Sequence, residues 1–377
     1  MLCNSELNLF TGAVMNSQVP PWQLLYSLER AGINELSVSG IIAATAGFDD
    51  EDKLFLESGD ADYVLWTRSL LKPFQLASHL QILQDSYPSL RPEHYALMSS
   101  SHNCEALHLQ LLHEIMEIGH VTEDQLLCPS AWPGDVCTRE KFKLAGQRPQ
   151  ALYHNCSGKH FSYLMSLQAQ GKPLNEYTEF NNVEHIRLEQ LLSRILRRSE
   201  SSFLKTTDGC QMPNHAMSVR EMATLYRRLA FASGTHEASA SADDRVLGIV
   251  GNLMHTYPDI LGGNNRLDTK IMHGDRTTGS AVKFIAKDGA DGLLAIGVLP
   301  TERFKNGLGM VIKLSSGYDI RHMEAIAAQI LRAIGIQHPM QEELMQNGVS
   351  DGIRTDHLKT NFAFKVNQSI LSAGGKA

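Results

Sequence analysis

The chain has 377 residues, 43% of them hydrophobic and 20% charged, with a formal net charge of −7. That balance suits a globular protein with a sizeable core, and it excludes a nucleic-acid binder relying on a basic face to displace counterions. No apolar run is long enough to read as a membrane-spanning helix.

Residues 1–34 read as an N-terminal extension and 35–377 as a single domain. Met1 to Gln18 holds no basic residue and no continuous apolar stretch, unlike a secretory leader, so the expected location is cytoplasmic. Pro20-Pro21 precede a short amphipathic stretch, Trp22 to Ala31, that stops at Gly32. Ser37 to Ala46 is rich in small and β-branched residues, Phe48 to Asp52 is an acidic turn, and Lys53 to Leu56 fits the return strand of a hairpin. Tyr63 to Trp66 then leads as a short strand into Thr67–Pro73, and Tyr95 to Ser99 reads as another strand.

Helical patterns dominate the middle. Glu105 to Ile118 places Leu107, Leu111, Ile115 and Ile118 on one stripe, with Gly119 as a stop. Phe161–Ala169, Val183–Arg198, Val219–Ala232 (with Ser218 as N-cap), Asp243–Met254 and Ile320–Ile334 follow the same pattern. Ser233 to Ala242 is small and polar and reads as a loop. Gly292–Leu299 and Met310–Leu314 flank the turn-like Thr301–Gly307 and should pair antiparallel. Late strands around a block of helices favour an α+β fold. No repeat and no dinucleotide fingerprint occurs.

Five segments can carry chemistry. Ser69 and Lys72 have the spacing that puts a hydroxyl and an amine on one helical face, where a lysine with a lowered pKa can act as base to a serine. Pro73 disfavours helical geometry at Lys72, so a plain surface pair is the competing reading. Ser99-Ser100-Ser101-His102-Asn103-Cys104-Glu105 precedes a helix, which suits either active-site groups or a capping cluster. In His154-Asn155-Cys156-Ser157-Gly158-Lys159-His160, Cys156 is a nucleophile, a metal ligand or a packed thiol. Thr206–Pro213 contains the Asp208-Gly209 turn signal and Cys210. Lys287–Gly292 reads as a charged turn, or as a second lysine brought to the site from a sheet edge. Six cysteines are too few and too scattered for a disulfide framework, and most read as buried thiols.

In this order the segments Arg68-Ser69-Leu70-Leu71-Lys72-Pro73-Phe74-Gln75, Ser101-His102-Asn103-Cys104-Glu105, Asn155-Cys156-Ser157-Gly158-Lys159-His160, Asp208-Gly209-Cys210-Gln211-Met212-Pro213 and Lys287-Asp288-Gly289-Ala290-Asp291-Gly292 resemble the asparaginase II family, also called Rhizobium etli-type or class 3 L-asparaginases. The resemblance implies a fold like the serine β-lactamases and penicillin-binding proteins, with an antiparallel sheet packed between helices, and a homodimer. It implies hydrolysis of L-asparagine through Ser69 with Lys72 and Ser101 with Lys287. It also implies a zinc ion on Cys156, Lys159 and Cys210, and a pocket lined by Arg68, His160 and Asp208. Asn103-Cys104 replaces the usual Ser-Gly, and Gln211 the usual Gly, which keeps open another amide substrate or a non-catalytic amino-acid binder. Residues 1–34 and the tail after His338 show no clear counterpart in the family.

Overall fold

The structure is a computed structural model, which describes residues 22–48, 51–235, 241–274, 282–317, 319–347, 358–360 and 365–366. Its frame is an antiparallel sheet in the order β10-β1-β2-β9-β8-β7, from β1 (Gln23–Arg30), β2 (Ile33–Phe48), β3 (Glu51–Ser58), β7 (Phe284–Gly289), β8 (Leu293–Val298), β9 (Leu308–Leu314) and β10 (Leu358–Thr360). The 16-residue β2 is the organiser: its first half pairs with β1, its second half with β3, and β9 lies along its other side. A further strand, β11 (Lys365–Val366), pairs with β3. A separate three-stranded sheet joins β4 (Val64–Trp66), β6 (Pro213–Ser218) and β5 (Lys205–Thr207).

The helices are α1 (Lys72–Ser86), α2 (Pro92–Met98), α3 (Ala106–Gly119), α4 (Val136–Leu144), α5 (Ser157–Ala169), α6 (Val183–Leu196), α7 (Val219–Gly234) and α8 (Ala242–Thr256), followed by short helices at Pro258–Leu261 and Leu267–Met272 and then Ile320–Ala333 and Pro339–Asn347. Helix α7 packs on β2, β8 and β9, and it can do so closely because β9 offers Gly309: a Cβ there would meet Ala223 O at 2.0 Å. Ser218 caps α7 through Glu221 N–H, as expected. Helix α1 packs against α5, α6 and α8, building a helical half beside the sheet. The architecture is therefore α+β, with helices packed on an antiparallel sheet, and β8 and β9 pair as expected.

Three expectations change. The stretch Trp22 to Ala31 is strand β1 rather than an amphipathic appendage, so the boundary expected at residue 34 falls inside the sheet. Leu25, Tyr26 and Leu28 are all buried, and a strand covered on both faces lacks the alternation that marks strands in sequence. Gly32 is no helix stop: Arg30 pairs with Ile33 across Ala31 and Gly32, both at positive φ (50° and 82°), in a two-residue hairpin turn. Tyr95 to Ser99 belongs to α2 and the residue closing it, with Pro92 in the first turn and the Arg91 N–H donating to His94 Nδ1 at 2.9 Å. An apolar run of that length does not separate helix from strand. Finally, Lys72 is helical (φ −55°, ψ −41°) despite Pro73, because the proline occupies the first turn of α1, where its missing N–H has no acceptor to lose. Residues 1–21 and 236–240 of the extension and the polar loop lie outside the described residues.

Candidate active site

Ser69 lies in a 3₁₀ turn, Arg68–Leu71, that follows β4 and runs directly into α1, so Ser69 and Lys72 flank the join. Ser69 is half-buried and Lys72 is 1% exposed. The hydroxyl that Lys72 meets is Ser101: its Nζ donates to Ser101 Oγ at 2.8 Å, to Ser100 O at 2.6 Å and to Asn155 O at 3.4 Å. Among the described residues Lys72 and Ser69 form no side-chain hydrogen bond. The oxygen acceptors around this amine are all neutral, and the Cys156 sulfur also interacts with it. Burial pulls its pKa down to about 8, with the positive charge of Lys159 and Lys287 adding to the fall and the sulfur of Cys156 opposing it.

Ser101 sits in the loop after α2, at 2% exposure, its N–H bonded to Leu261 O. That loop approaches α5 through Gly158, where a Cβ would stand 2.6 Å from Leu97 O. The glycine thus lets the Ser101 and Cys156 segments meet. Neighbouring His102 is buried, its Nε2 at 3.0 Å from Ser157 Oγ and its ring stacked on His108. Burial keeps it well below the ordinary histidine range.

Lys287 is fully buried on β7, an edge strand of the main sheet, and the turn follows it at Ala290–Gly292. Its Nζ donates to Asp268 Oδ2 (3.0 Å), Asp288 Oδ1 (2.8 Å) and Asp288 O (3.1 Å). Those three acceptors use all three donors of an ammonium. Arg266 joins the cage through Asp288 Oδ1 at 2.6 Å and reaches Asn103 Oδ1 at 3.3 Å. No hydrogen bond links Lys287 to Ser101 among the described residues. Its charge nevertheless registers at Lys72.

Cys156, Lys159 and Cys210 converge from the start of α5 and from the β5–β6 hairpin. Lys159 Nζ donates to Cys210 Sγ at 3.1 Å, and the Cys156 and Cys210 thiols are hydrogen-bonded to each other. That bond drives the Cys156 thiol well below its ordinary value and raises Cys210. Burial lowers Lys159, and Cys210 and Cys156 together outweigh it, so the amine is raised overall. His160 stands beside them: its Nδ1 lies 2.7 Å from Tyr177 Oη, and its ring also interacts with Cys210. Two sulfurs and an amine suit a soft divalent cation, which would displace the shared protons on binding. Among the described residues no group of three or more His, Cys, Asp and Glu gathers for a metal, so any such site depends on the lysine.

Arg68 Nε pairs with Asp208 Oδ1 at 2.8 Å, and its Nη1 also meets Asp291, so the arginine bridges the serine turn to the Cys210 hairpin. Sequence reasoning did not single out His154, Asn155, Asn214, Arg266 or Asp268. His154 Nδ1 accepts from Cys156 N–H at 3.0 Å, and burial lowers the ring to about 4. Asn155, Asn214, Arg266 and Asp268 have no local signature, since each acts on a segment far away in sequence, whereas His154 acts on Cys156 two residues on.

Two residues that depart from the family pattern, Cys104 and Gln211, both have left-handed backbone, at φ 62° and 71°. Those are the two places where the pattern has glycine.

The fold and site together define an amidohydrolase, with a buried serine–lysine contact between a sheet and a helical half. The L-asparaginase II family profile matches residues 27–360, and the chain belongs to that family. The match begins within β1 and ends with β10, so residues 27–34 and 339–360, expected to lack a counterpart, lie inside it. No curated protein matches the sequence. Among solved structures, a Bacillus glutaminase determined in 4.3 M NaCl is similar at 13% identity over 78% of this chain and 91% of its own, with a TM-score of 0.35. A probable glutaminase from Bacillus subtilis complexed with 6-diazo-5-oxo-L-norleucine is similar at 12% identity over 78% and 84%, with a TM-score of 0.36. No helix among the described residues is long and apolar enough to cross a membrane.

Proposed function

We propose that the chain hydrolyses L-asparagine to L-aspartate and ammonia, with Ser69 as nucleophile, Lys72 as its base and Ser101 as the relay. The observation that carries this is the buried Lys72 amine, 2.8 Å from Ser101 Oγ and with no carboxylate bonded to it among the described residues. An amine so placed titrates near neutrality and can take a hydroxyl proton. Ser69 is the more accessible hydroxyl, which suits attack, and buried Ser101 suits proton transfer.

In the first half-reaction Ser69 Oγ bonds to the side-chain amide carbon as its proton passes to Lys72. The C=O bond opens to an oxyanion. On collapse the C–N bond breaks, and Lys72 returns its proton through Ser101 to the leaving ammonia. Water then gives a proton to Lys72 and attacks the acyl-enzyme, and as the acyl C–Oγ bond breaks Lys72 returns that proton to Ser69 Oγ and aspartate leaves. Lys287 stays in its carboxylate cage as a fixed positive charge beside Lys72. Arg68, His160 and Asp208 line the pocket that receives the amino acid.

Zinc on Cys156, Lys159 and Cys210 would supply a bound water and a positive charge near the substrate's charged groups. Zinc should raise the melting temperature of the wild type and not that of Cys210→Ser; equal shifts in both would remove the ligand assignment. Ammonia release from asparagine tests the reaction, with Ser69→Ala, Ser101→Ala and Lys72→Ala as controls. Full activity in Ser69→Ala and Lys72→Ala would sink the mechanism. Gln211 and Asn103 favour one second reading, hydrolysis of another amide, and parallel assays with glutamine and β-aspartyl peptides separate the two. The resemblance also points to a homodimer, which sedimentation measures.

A further inference from the structure

Arg68 stands immediately before Ser69 with φ 50°, a left-handed conformation that costs any side-chain-bearing residue and persists only where its surroundings fix it. One side chain meets that backbone directly. Asn214, 4% exposed, accepts the Arg68 N–H on Oδ1 at 3.1 Å and the Thr67 hydroxyl on the same atom at 3.2 Å. Its neighbour completes the grip: Thr67 N–H donates to His215 O at 3.0 Å, and the single Thr67 hydroxyl proton is shared between that carbonyl, also at 3.0 Å, and Asn214 Oδ1. We propose that Asn214 is a positioning residue, holding Arg68 in the left-handed turn that presents Ser69 and starts α1 at Lys72.

The placement explains why a sheet residue does this. Strand β6 pairs with β4 as far as Ala216↔Trp66 and then continues, so Asn214 and His215 lie beyond the end of β4, alongside the turn. On its other side β6 is pinned by β5, with Asn214 opposite Thr206. His215 is anchored through Glu189 Oε1 at 3.1 Å, which also accepts from Lys205. The Asn214 amide is therefore carried on a braced strand rather than on a loop. The same hairpin bears Asp208, which holds the Arg68 side chain, so main chain and side chain of one residue are both fixed from β5–β6. This inference rests on the reading of Ser69 as nucleophile.

The test is the kinetics of Asn214→Ala, Asn214→Asp, Arg68→Gly and the Arg68→Gly/Asn214→Ala double variant, with circular dichroism on each. Asn214→Ala should lower kcat roughly 100-fold, the scale of a misplaced reacting group, with KM within about threefold. Asn214→Asp keeps an acceptor on the same atom and should recover to within about tenfold of wild type. Arg68→Gly sets its own lower reference. On that background glycine adopts positive φ unaided, so removing Asn214 should cost less than about fivefold. A kcat for Asn214→Ala within threefold of wild type would overturn the proposal, as would the same 100-fold loss on the glycine background. If Asn214→Ala does not fold, Asn214→Asp and the double variant decide it: failure of both to show near-reference kcat removes the role. If the wild type leaves asparagine intact, the substrate reading fails on its own. The crystal structures of Asn214→Ala and of the double variant then decide, and a residue 68 that keeps its positive φ in the first, or a turn lost in the second, overturns the proposal.

Discussion

Lys72 and Lys287 are both fully buried amines facing one site, and their surroundings are opposite. Lys72, from the helical half, touches two main-chain carbonyls, a serine hydroxyl and the Cys156 sulfur, and no carboxylate among the described residues. Lys287, from the sheet edge, touches two carboxylates that are themselves buried. A buried amine without a carboxylate beside it is pushed toward its neutral form where burial outweighs its other partners, and one inside a carboxylate cage has its donors occupied. Two lysines of equal burial therefore divide into a base and a fixed charge.

The largest expected effect breaks that symmetry directly. Lys287→Met leaves Asp268 and Asp288 buried without their shared partner, so unfolding free energy should fall by about 3–5 kcal/mol. Lys72→Met strands no carboxylate and should change stability by no more than about 1–2 kcal/mol while lowering kcat by roughly 100-fold to 10,000-fold. Denaturant melts and ammonia release on both variants check this. Equal stability losses would erase the distinction drawn between the two lysines.

A second test separates the helical half from the sheet by pH. Burial lowers His79 and His108, on α1 and α3, from 6.5 to about 4. The folded protein binds protons there less readily than the unfolded chain, so their contribution is fully present above pH 6.5. It is lost as pH falls from 6.5 towards 4, and the total is on the order of a few kcal/mol. Amide exchange between pH 7 and pH 4.5 should show protection lost first around His79 and His108. Replacing His79 by Gln should flatten the fall, and an unchanged pH slope in that variant would contradict the assignment.

How much of this was legible depends on the range of each interaction. The Ser69–Lys72 spacing, the Ser218 cap and the β8–β9 pair are local patterns, and each is visible in a short window. The Lys72–Ser101 contact spans 29 residues and the Asn214 bond to Arg68 spans 146, and neither leaves a trace in the adjoining sequence. Asp268 looks like an ordinary residue at a helix start, and only the arrival of β7 makes it a cage wall. β1 and α2 were misread for a related reason: covered apolar runs lose the period that would identify them.

The smallest effect concerns the two departures from glycine. Gln211 is exposed at φ 71°, with its N–H held by Asp208 O at 2.8 Å, beside Cys210. Left-handed geometry costs a side-chain-bearing residue about 1–2 kcal/mol, and glycine loses about 0.5–1 kcal/mol through extra freedom in the unfolded chain. Gln211→Gly should therefore stabilise the protein by about 0.5–1 kcal/mol, a rise of a few degrees at most in melting temperature. Cys104→Gly shares the backbone gain, but Cys104 is fully buried, and the lost thiol leaves space that offsets it. Gln211→Gly is thus the cleaner reading of strain. If it melts lower than wild type, the glutamine makes a stabilising contact that outweighs its backbone. The same variant sharpens the substrate question, because a side chain retained against its own backbone cost beside Cys210 should show its use as a changed ratio of asparagine to glutamine turnover.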